Sequence, residues 1–235
     1  NRVIKPLEPV GVPLRYKFLP EALKAQGYST HAVGKWHVGY CAEEYTPTKR
    51  GFDTFYGFHG GSQDYFTYTH PGGIPLEKRS SCGNECYDFG LDLFNNTTPD
   101  VTKNGKYSTH LFTSVVEDLL QARNPRKPLF LYLAYQSVHT PLQVPQEYKN
   151  AFRHITHKQR MVHLGMLSAL DEAVGKVTRA LQATGHYQNS NGGAVKKGGN
   201  NYPLCGKKGT LLEGGTRGAA FIHSPLLQKP YISEK

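Results

Sequence analysis

The sequence predicts an α/β fold whose central sheet is mostly parallel and carries helices on both faces. Three observations predict it. Pro128-Leu129-Phe130-Leu131-Tyr132-Leu133-Ala134-Tyr135 is a continuous apolar run, the pattern of a strand buried on both faces where crossover helices cover a parallel sheet. Around it, segments of helical and strand period alternate as helix, strand, helix, strand, helix. With 235 residues and 38% hydrophobic side chains, the chain can bury such a core, as one large domain or as part of a larger one.

Each element has its own signal. Residues 18–26 read as a helix, with Pro20 in the first turn and Gly27 at the stop, and residues 28–33 follow as a strand. Residues 57–104 are rich in Gly, Pro, Ser, Asn and Tyr without a sustained period, and read as a long irregular excursion over the site. Ser108 is placed to cap a helix running to about residue 123, on whose apolar face lie Leu111, Phe112, Val115, Val116, Leu119 and Leu120. A long helix over residues 158–182 turns Val162, Met166, Leu170, Val174, Val177 and Leu181 inward and stops at Gly185. The alternation then calls for a buried strand, but His186-Tyr187-Gln188-Asn189-Ser190-Asn191-Gly192-Gly193 is polar. Either the fold turns differently there or a strand of roughly five or six residues is missing. Glu213-Gly214-Gly215-Thr216-Arg217-Gly218 reads as a tight turn into a short strand over residues 219–222.

A net charge of +10 and a pI near 9.4 favour polyanionic partners. The cations are scattered, as in Lys5, Lys17, Lys49, Arg50, Lys78, Arg79, Arg126 and Lys127. That scatter argues for a solvated basic surface and against a specific nucleic-acid groove. No apolar run approaches the roughly 18 to 20 residues of a membrane span, and Asn1-Arg2-Val3-Ile4-Lys5-Pro6 is no signal-peptide core; the missing initiator Met suggests a piece of a longer precursor. Cys82 and Cys86 form a single C-x3-C, so with Cys41 and Cys205 they give no zinc-ribbon spacing. Overlapping acceptor sequons at Asn95 and Asn96 suit a secreted or lysosomal glycoprotein.

Two strand-end clusters and one loop carry the chemistry. Residues two apart on a strand share a face, so Lys35 and His37 of Gly34-Lys35-Trp36-His37 would project together beyond a strand end, where open parallel sheets bind ligands. Lys35 could neutralise an anion while His37 donates to an ester oxygen. The plainer alternative is a surface Lys and a satisfied His flanking a packed Trp36. His139, four residues past the apolar strand, brings a second imidazole to the same edge, and Lys208 in Cys205-Gly206-Lys207-Lys208-Gly209 could add a second cation. No nucleophile is evident among these groups.

Gly34-Lys35-Trp36-His37, Pro47-Thr48-Lys49-Arg50-Gly51-Phe52-Asp53, Tyr135-Gln136-Ser137-Val138-His139-Thr140-Pro141-Leu142, Gly198-Gly199-Asn200-Asn201-Tyr202-Pro203-Leu204 and Glu213-Gly214-Gly215-Thr216-Arg217 resemble, in order, blocks of the animal sulfatases of the arylsulfatase B group. The resemblance spans nearly the whole chain. It implies an incomplete alkaline-phosphatase-like α/β sandwich, with residues 1–235 a partial catalytic domain lacking the N-terminal nucleophile segment and the C-terminal subdomain. The implied activity is hydrolysis of sulfuric esters, on sulfated glycans or aryl sulfates, with bound calcium, in a lysosomal or secreted enzyme. By the same resemblance Lys35 and Lys208 match the sulfate-binding lysines. His37 matches the histidine near the nucleophile, His139 the one on the sulfate and leaving-group side, and Asn191 a calcium ligand.

Two departures temper that expectation. Ser190 stands where the family has the Asp before Asn191, and the early paired aspartates are missing; calcium takes six to eight oxygens. No Cys/Ser-x-Pro-Ser-Arg segment occurs, so the cysteine converted to formylglycine is absent. The expected isolated chain is therefore inactive, and the alternative is a non-catalytic binder of sulfated polysaccharide or acidic matrix.

Overall fold

The structure, a computed structural model, describes residues 4–5, 8–70 and 90–186. The chain divides into two compact units, residues 1–180 and 181–235, and the sheet belongs to the first. The expected gap after Gly185 and the turn near Gly214 fall outside the described residues.

Helix α1 is Leu19–Ala25, entered with Pro20 in its first turn and with the Glu21 carboxylate accepting the Phe18 N–H. Strand β1, Ser29–Lys35, follows, and β2 is Thr54–Phe58. A two-strand hairpin, β3 (Phe94–Asn95) and β4 (Thr98–Pro99), precedes helix α2, Ser108–Gln121. Strand β5 is Leu129–Ala134, then come the short helix α3, Gln146–Asn150, and the long α4, Lys158–Ala183. The sheet order is β4-β3-β2-β1-β5, with β2, β1 and β5 parallel and the hairpin antiparallel.

Alternation along β1 sorts the two faces. On one, Ala32 and Trp36 pack with Phe52 and Phe55, joined by Phe18 at the start of α1. On the other, His31 meets Arg123 just past α2, and Phe58 of β2 stacks on Phe112 of α2 at 6.3 Å. Helices thus cover both faces of a mostly parallel sheet. A second core joins α4 to the loops: Met166 and Ala169 pack with Tyr65, Tyr107 and Val144.

Four expectations need correction. β5 is only half-buried and Tyr132 is 41% exposed, because β5 is the last strand of the sheet formed by the described residues and no described strand pairs with its outer side. Ser108 is the first helical residue, with Tyr107 at the cap position, and its buried hydroxyl has no partner among the described residues. Residues 57–104 are not wholly irregular, since they hold β3, β4 and the fully buried Tyr65, Tyr68 and Leu93. Arg50 is no surface cation: at 2% exposure its guanidinium donates to the carbonyls of Val12 (3.1 Å) and Tyr16 (2.6 Å) and lies 3.7 Å over the Phe18 ring.

Candidate active site at the carboxyl edge of the sheet

The register aligns Gly34 of β1 with Gly57 of β2 and Ala134 of β5, so three parallel strands end side by side. Side chains cannot fit at that junction. Gly34 has φ 100°, and a Cβ on it would sit 2.1 Å from the Ala134 carbonyl oxygen; one on Gly57 would sit 2.0 Å from the Gly34 carbonyl oxygen. The strands can therefore converge only with glycine at both positions.

Lys35 is the last residue of β1 and is half-buried. Trp36 anchors the exit: its indole N–H donates to the carbonyls of Gly39 and Tyr45, both at 2.9 Å, and its ring meets Phe52 edge-on at 6.0 Å. His37 has φ 56°, so the extended alternation that would align it with Lys35 has ended. Its backbone N–H still donates to His59 O at 3.0 Å, and its Nε2 donates to Ile4 O at 2.8 Å. The hydrogen expected for an ester oxygen is thus engaged by a carbonyl here.

His139 sits in a tight turn after β5, its N–H donating to Gln136 O at 2.9 Å and its carbonyl accepting from the Tyr65 hydroxyl at 2.8 Å. Its Nδ1 donates to Thr140 O at 2.7 Å, which leaves Nε2 as the ring's acceptor when the imidazole is neutral. The turn is braced from below by Thr109 of α2, whose Oγ1 lies 2.9 Å from Ser137 Oγ. Lys35 therefore ends β1, and His37 and His139 follow the ends of two adjacent parallel strands. Lys208 and Asn191 lie outside the described residues. Among the described residues no group of three or more His, Cys, Asp or Glu could hold a metal ion.

Sequence reasoning missed the third strand end. His59 follows β2 directly; it is 6% exposed, and burial pushes its pKa down to about 4. Its Nδ1 is 3.9 Å from Asp92 Oδ1, and its Nε2 has no partner among the described residues. Asp92 accepts the N–H groups of His59 and Gly60, both at 2.8 Å, while burial raises its pKa. Four residues past His59, Gln63 is fully buried, both its carboxamide atoms lack a partner among the described residues, and its carbonyl accepts from Gln136 Nε2. The signal was present in Thr54-Phe55-Tyr56-Gly57-Phe58, a strand-forming aromatic run.

The Sulfatase family signature matches residues 2–235. Arylsulfatase J of Mus musculus is 45% identical over 235 residues, covering 97% of this chain and 38% of that protein. N-acetylgalactosamine-6-sulfatase of Mus musculus is 30% identical over 232 residues, covering 92% of this chain and 41% of that protein. A crystal structure of Ps i-CgsB in complex with k-i-k-neocarrahexaose superposes with a TM-score of 0.79 at 36% identity, over 93% of this chain and 49% of that one. The chain thus spans about two-fifths of the length of these curated relatives. On these grounds, with its three strand ends converging on one edge, the chain belongs to the sulfatase family.

Proposed function

We propose that this chain is the anion-binding part of a sulfuric ester hydrolase acting on sulfated glycans or aryl sulfates. Lys35 and Lys208 neutralise the sulfate, His139 serves the leaving oxygen, and His37 stands on the nucleophile's side. The observation that carries the reading is the pairing of Gly34 with Ala134, which sets the residues after β1 beside those after β5. A relative 36% identical was crystallised with k-i-k-neocarrahexaose, which supports a glycan as substrate. The whole enzyme would be a lysosomal or secreted glycoprotein, with calcium bound in part by Asn191.

Turnover needs an attacking group, because positioned cations and imidazoles lower a barrier only for a nucleophile that is present. The 235-residue chain has no Cys-x-Pro-Ser-Arg segment, and is proposed to bind an aryl sulfate without cleaving it. Titration calorimetry should show Lys35→Ala weakening that binding about tenfold to a hundredfold, as expected for losing one charge-assisted contact. Unchanged affinity would remove Lys35 from the site. Release of the phenol by the wild-type chain, lost in Lys35→Ala, would overturn its inactivity.

A second reading, a non-catalytic binder of sulfated polysaccharide, is favoured by one stretch. Residues 148–170 contain no Asp or Glu but do contain Lys149, Arg153, Lys158 and Arg160, of which the last three are exposed. Binding through that surface would fade with salt, which shortens screening to roughly 3 Å at 1 M, and would be indifferent to Lys35→Ala.

A further inference from the structure

Beside the end of β1, a cleft of about 410 Å³ opens over the end of β2, lined by Tyr40, Glu43, Thr46, His59, Phe94 and Thr97. Its volume falls within the range of small-molecule sites. Three rings build one wall: Tyr40 and His59 stack at 5.9 Å and 21°, and Phe94 lies 4.5 Å from His59. The Thr46 hydroxyl donates to Glu43 O at 2.6 Å and keeps its lone pairs for an incoming donor. Glu43 stands at the rim, 3.1 Å from Lys49.

Two features indicate what this cleft takes. The first is His59, more than nine-tenths buried, whose Nε2 has no partner among the described residues. A buried polar atom costs free energy unless something meets it, so a hydroxyl that reaches this nitrogen relieves that cost. The neutral imidazole that burial enforces makes a partner for a hydroxyl and a poor one for an anion. The second feature is charge: among the described residues no Lys or Arg lines the cleft, and their one ionic lining group is the Glu43 carboxylate. Among those residues a sulfate would meet a carboxylate that already holds Lys49, and no cation in the wall itself, unlike at Lys35. Aromatic faces with a few hydroxyl-directed groups suit the apolar face and rim hydroxyls of a sugar ring.

We propose that this cleft is a subsite for an uncharged, unsulfated sugar unit, adjoining the sulfated unit held at the end of β1. His37 N–H to His59 O ties the two strand exits together, so consecutive units of one glycan can lie across both. The inference rests on the sulfate-site reading above but makes a separate demand. The substrate must be an oligosaccharide in which the unit next to the target sulfate is bare.

Calorimetry with the 235-residue chain and four probes tests this: a sulfated monosaccharide, two disaccharides that link that unit in either order to an unsulfated sugar, and a disaccharide sulfated on both units. The singly sulfated disaccharide should bind about tenfold tighter than the monosaccharide in one linkage order, a gain typical of one further well-packed contact set. Sulfation of the second unit should cancel that gain. Tyr40→Ala should bring the disaccharide down to the monosaccharide's affinity while leaving the monosaccharide unaffected, which also shows that the variant is folded. Thr46→Val should act in the same direction. Equal affinity of the monosaccharide and both singly sulfated disaccharides, or tighter binding of the doubly sulfated one, overturns the subsite. Should no sulfated probe bind, the sulfate-site reading fails by itself. Saturation-transfer NMR with the unsulfated disaccharide then decides the cleft alone: a signal lost in Tyr40→Ala supports it, and no signal overturns it.

Discussion

At the amino end of β1, His31 has both ring nitrogens occupied. Arg123 Nη1 lies 2.8 Å from His31 Nε2, and because a guanidinium only donates, that nitrogen accepts; Nδ1 then donates to Thr54 Oγ1 at 2.7 Å. Ser29 Oγ joins at 2.8 Å and also accepts from Arg123, whose Nε alone lacks a partner among the described residues. At the carboxyl end the count reverses. His59 Nε2, both carboxamide atoms of Gln63 and Gln136 Oε1 are all buried without a described partner. One sheet therefore carries a closed polar network below and an open one above. Closed networks fix a fold, whereas open ones hold a cost that only a ligand, a water or a further piece of chain can remove.

The largest expected effect breaks the closed end. Arg123→Ala removes a charged donor from His31 Nε2 and Ser29 Oγ at once and leaves only the Ser29 hydroxyl to meet that nitrogen, which should lower unfolding stability by about 3 kcal/mol and leave sulfate-ester affinity unchanged. Gln63→Leu at the open end removes two atoms with no described partner and should change stability by less than about 1 kcal/mol, in either direction. Urea unfolding of both variants checks this. A loss in Gln63→Leu as large as in Arg123→Ala would mean that the two ends are built alike.

Acid sharpens the same contrast. His31 is held down to about 4 by burial first and then by the Arg123 charge, opposed by Asp53 and aided by Lys127. His59 is held to about 4 by burial alone. The sign follows from linkage: unfolded histidine titrates near 6.5, so above that pH neither state is protonated and full stability is present. As pH falls from about 6.5 to 4, the unfolded chain takes up protons that the folded chain refuses, and each histidine should remove on the order of 2 kcal/mol. His59→Met should flatten its share of that slope at little cost at pH 7, since Nε2 has no described partner to lose. His31→Met should flatten its own share but cost about 2 kcal/mol at pH 7, because it breaks two hydrogen bonds. Unfolding midpoints at neutral and mildly acidic pH decide it. A slope unchanged in His59→Met would show that its imidazole is not buried neutral.

Most of this architecture was legible because it rests on local pattern. The apolar run at β5, the Gly27 stop and the period of α2 and α4 each announce an element, and Gly34-Lys35-Trp36-His37 marks where β1 must end. Burial of β5 was overestimated because an apolar run reports what a strand is suited to, and the face beside Tyr132 depends on neighbours outside the run. The left-handed turn at His37 was hidden since a non-glycine residue at φ 56° leaves no local signature. Likewise His59 and Gln63 are ordinary polar residues in a Gly-rich stretch; only the long-range register with Lys35 puts them at the site.

The smallest expected effect applies the same criterion to two neighbouring side chains on the β3–β4 hairpin. Asn95 is exposed at the end of β3. Asn96 is tied to β2, its Oδ1 accepting Phe55 N–H at 2.9 Å and its own N–H donating to Phe55 O at 2.7 Å, and it holds φ 56°. Replacing Asn96 by Ala should cost about 1 to 2 kcal/mol, from the lost bond and the strained φ, whereas Asn95→Ala should stay within about 0.5 kcal/mol. The two sequons are separable, because Asn95→Gln spares Asn96-Thr97-Thr98 and Asn96→Gln spares Asn95 and Thr97. With the chain passed through a secretory pathway, the exposed amide should be the acceptor, so the glycan mass disappears in Asn95→Gln and persists in Asn96→Gln. The reverse would show that transfer precedes the hairpin, when nothing yet distinguishes the bonded asparagine from the exposed one.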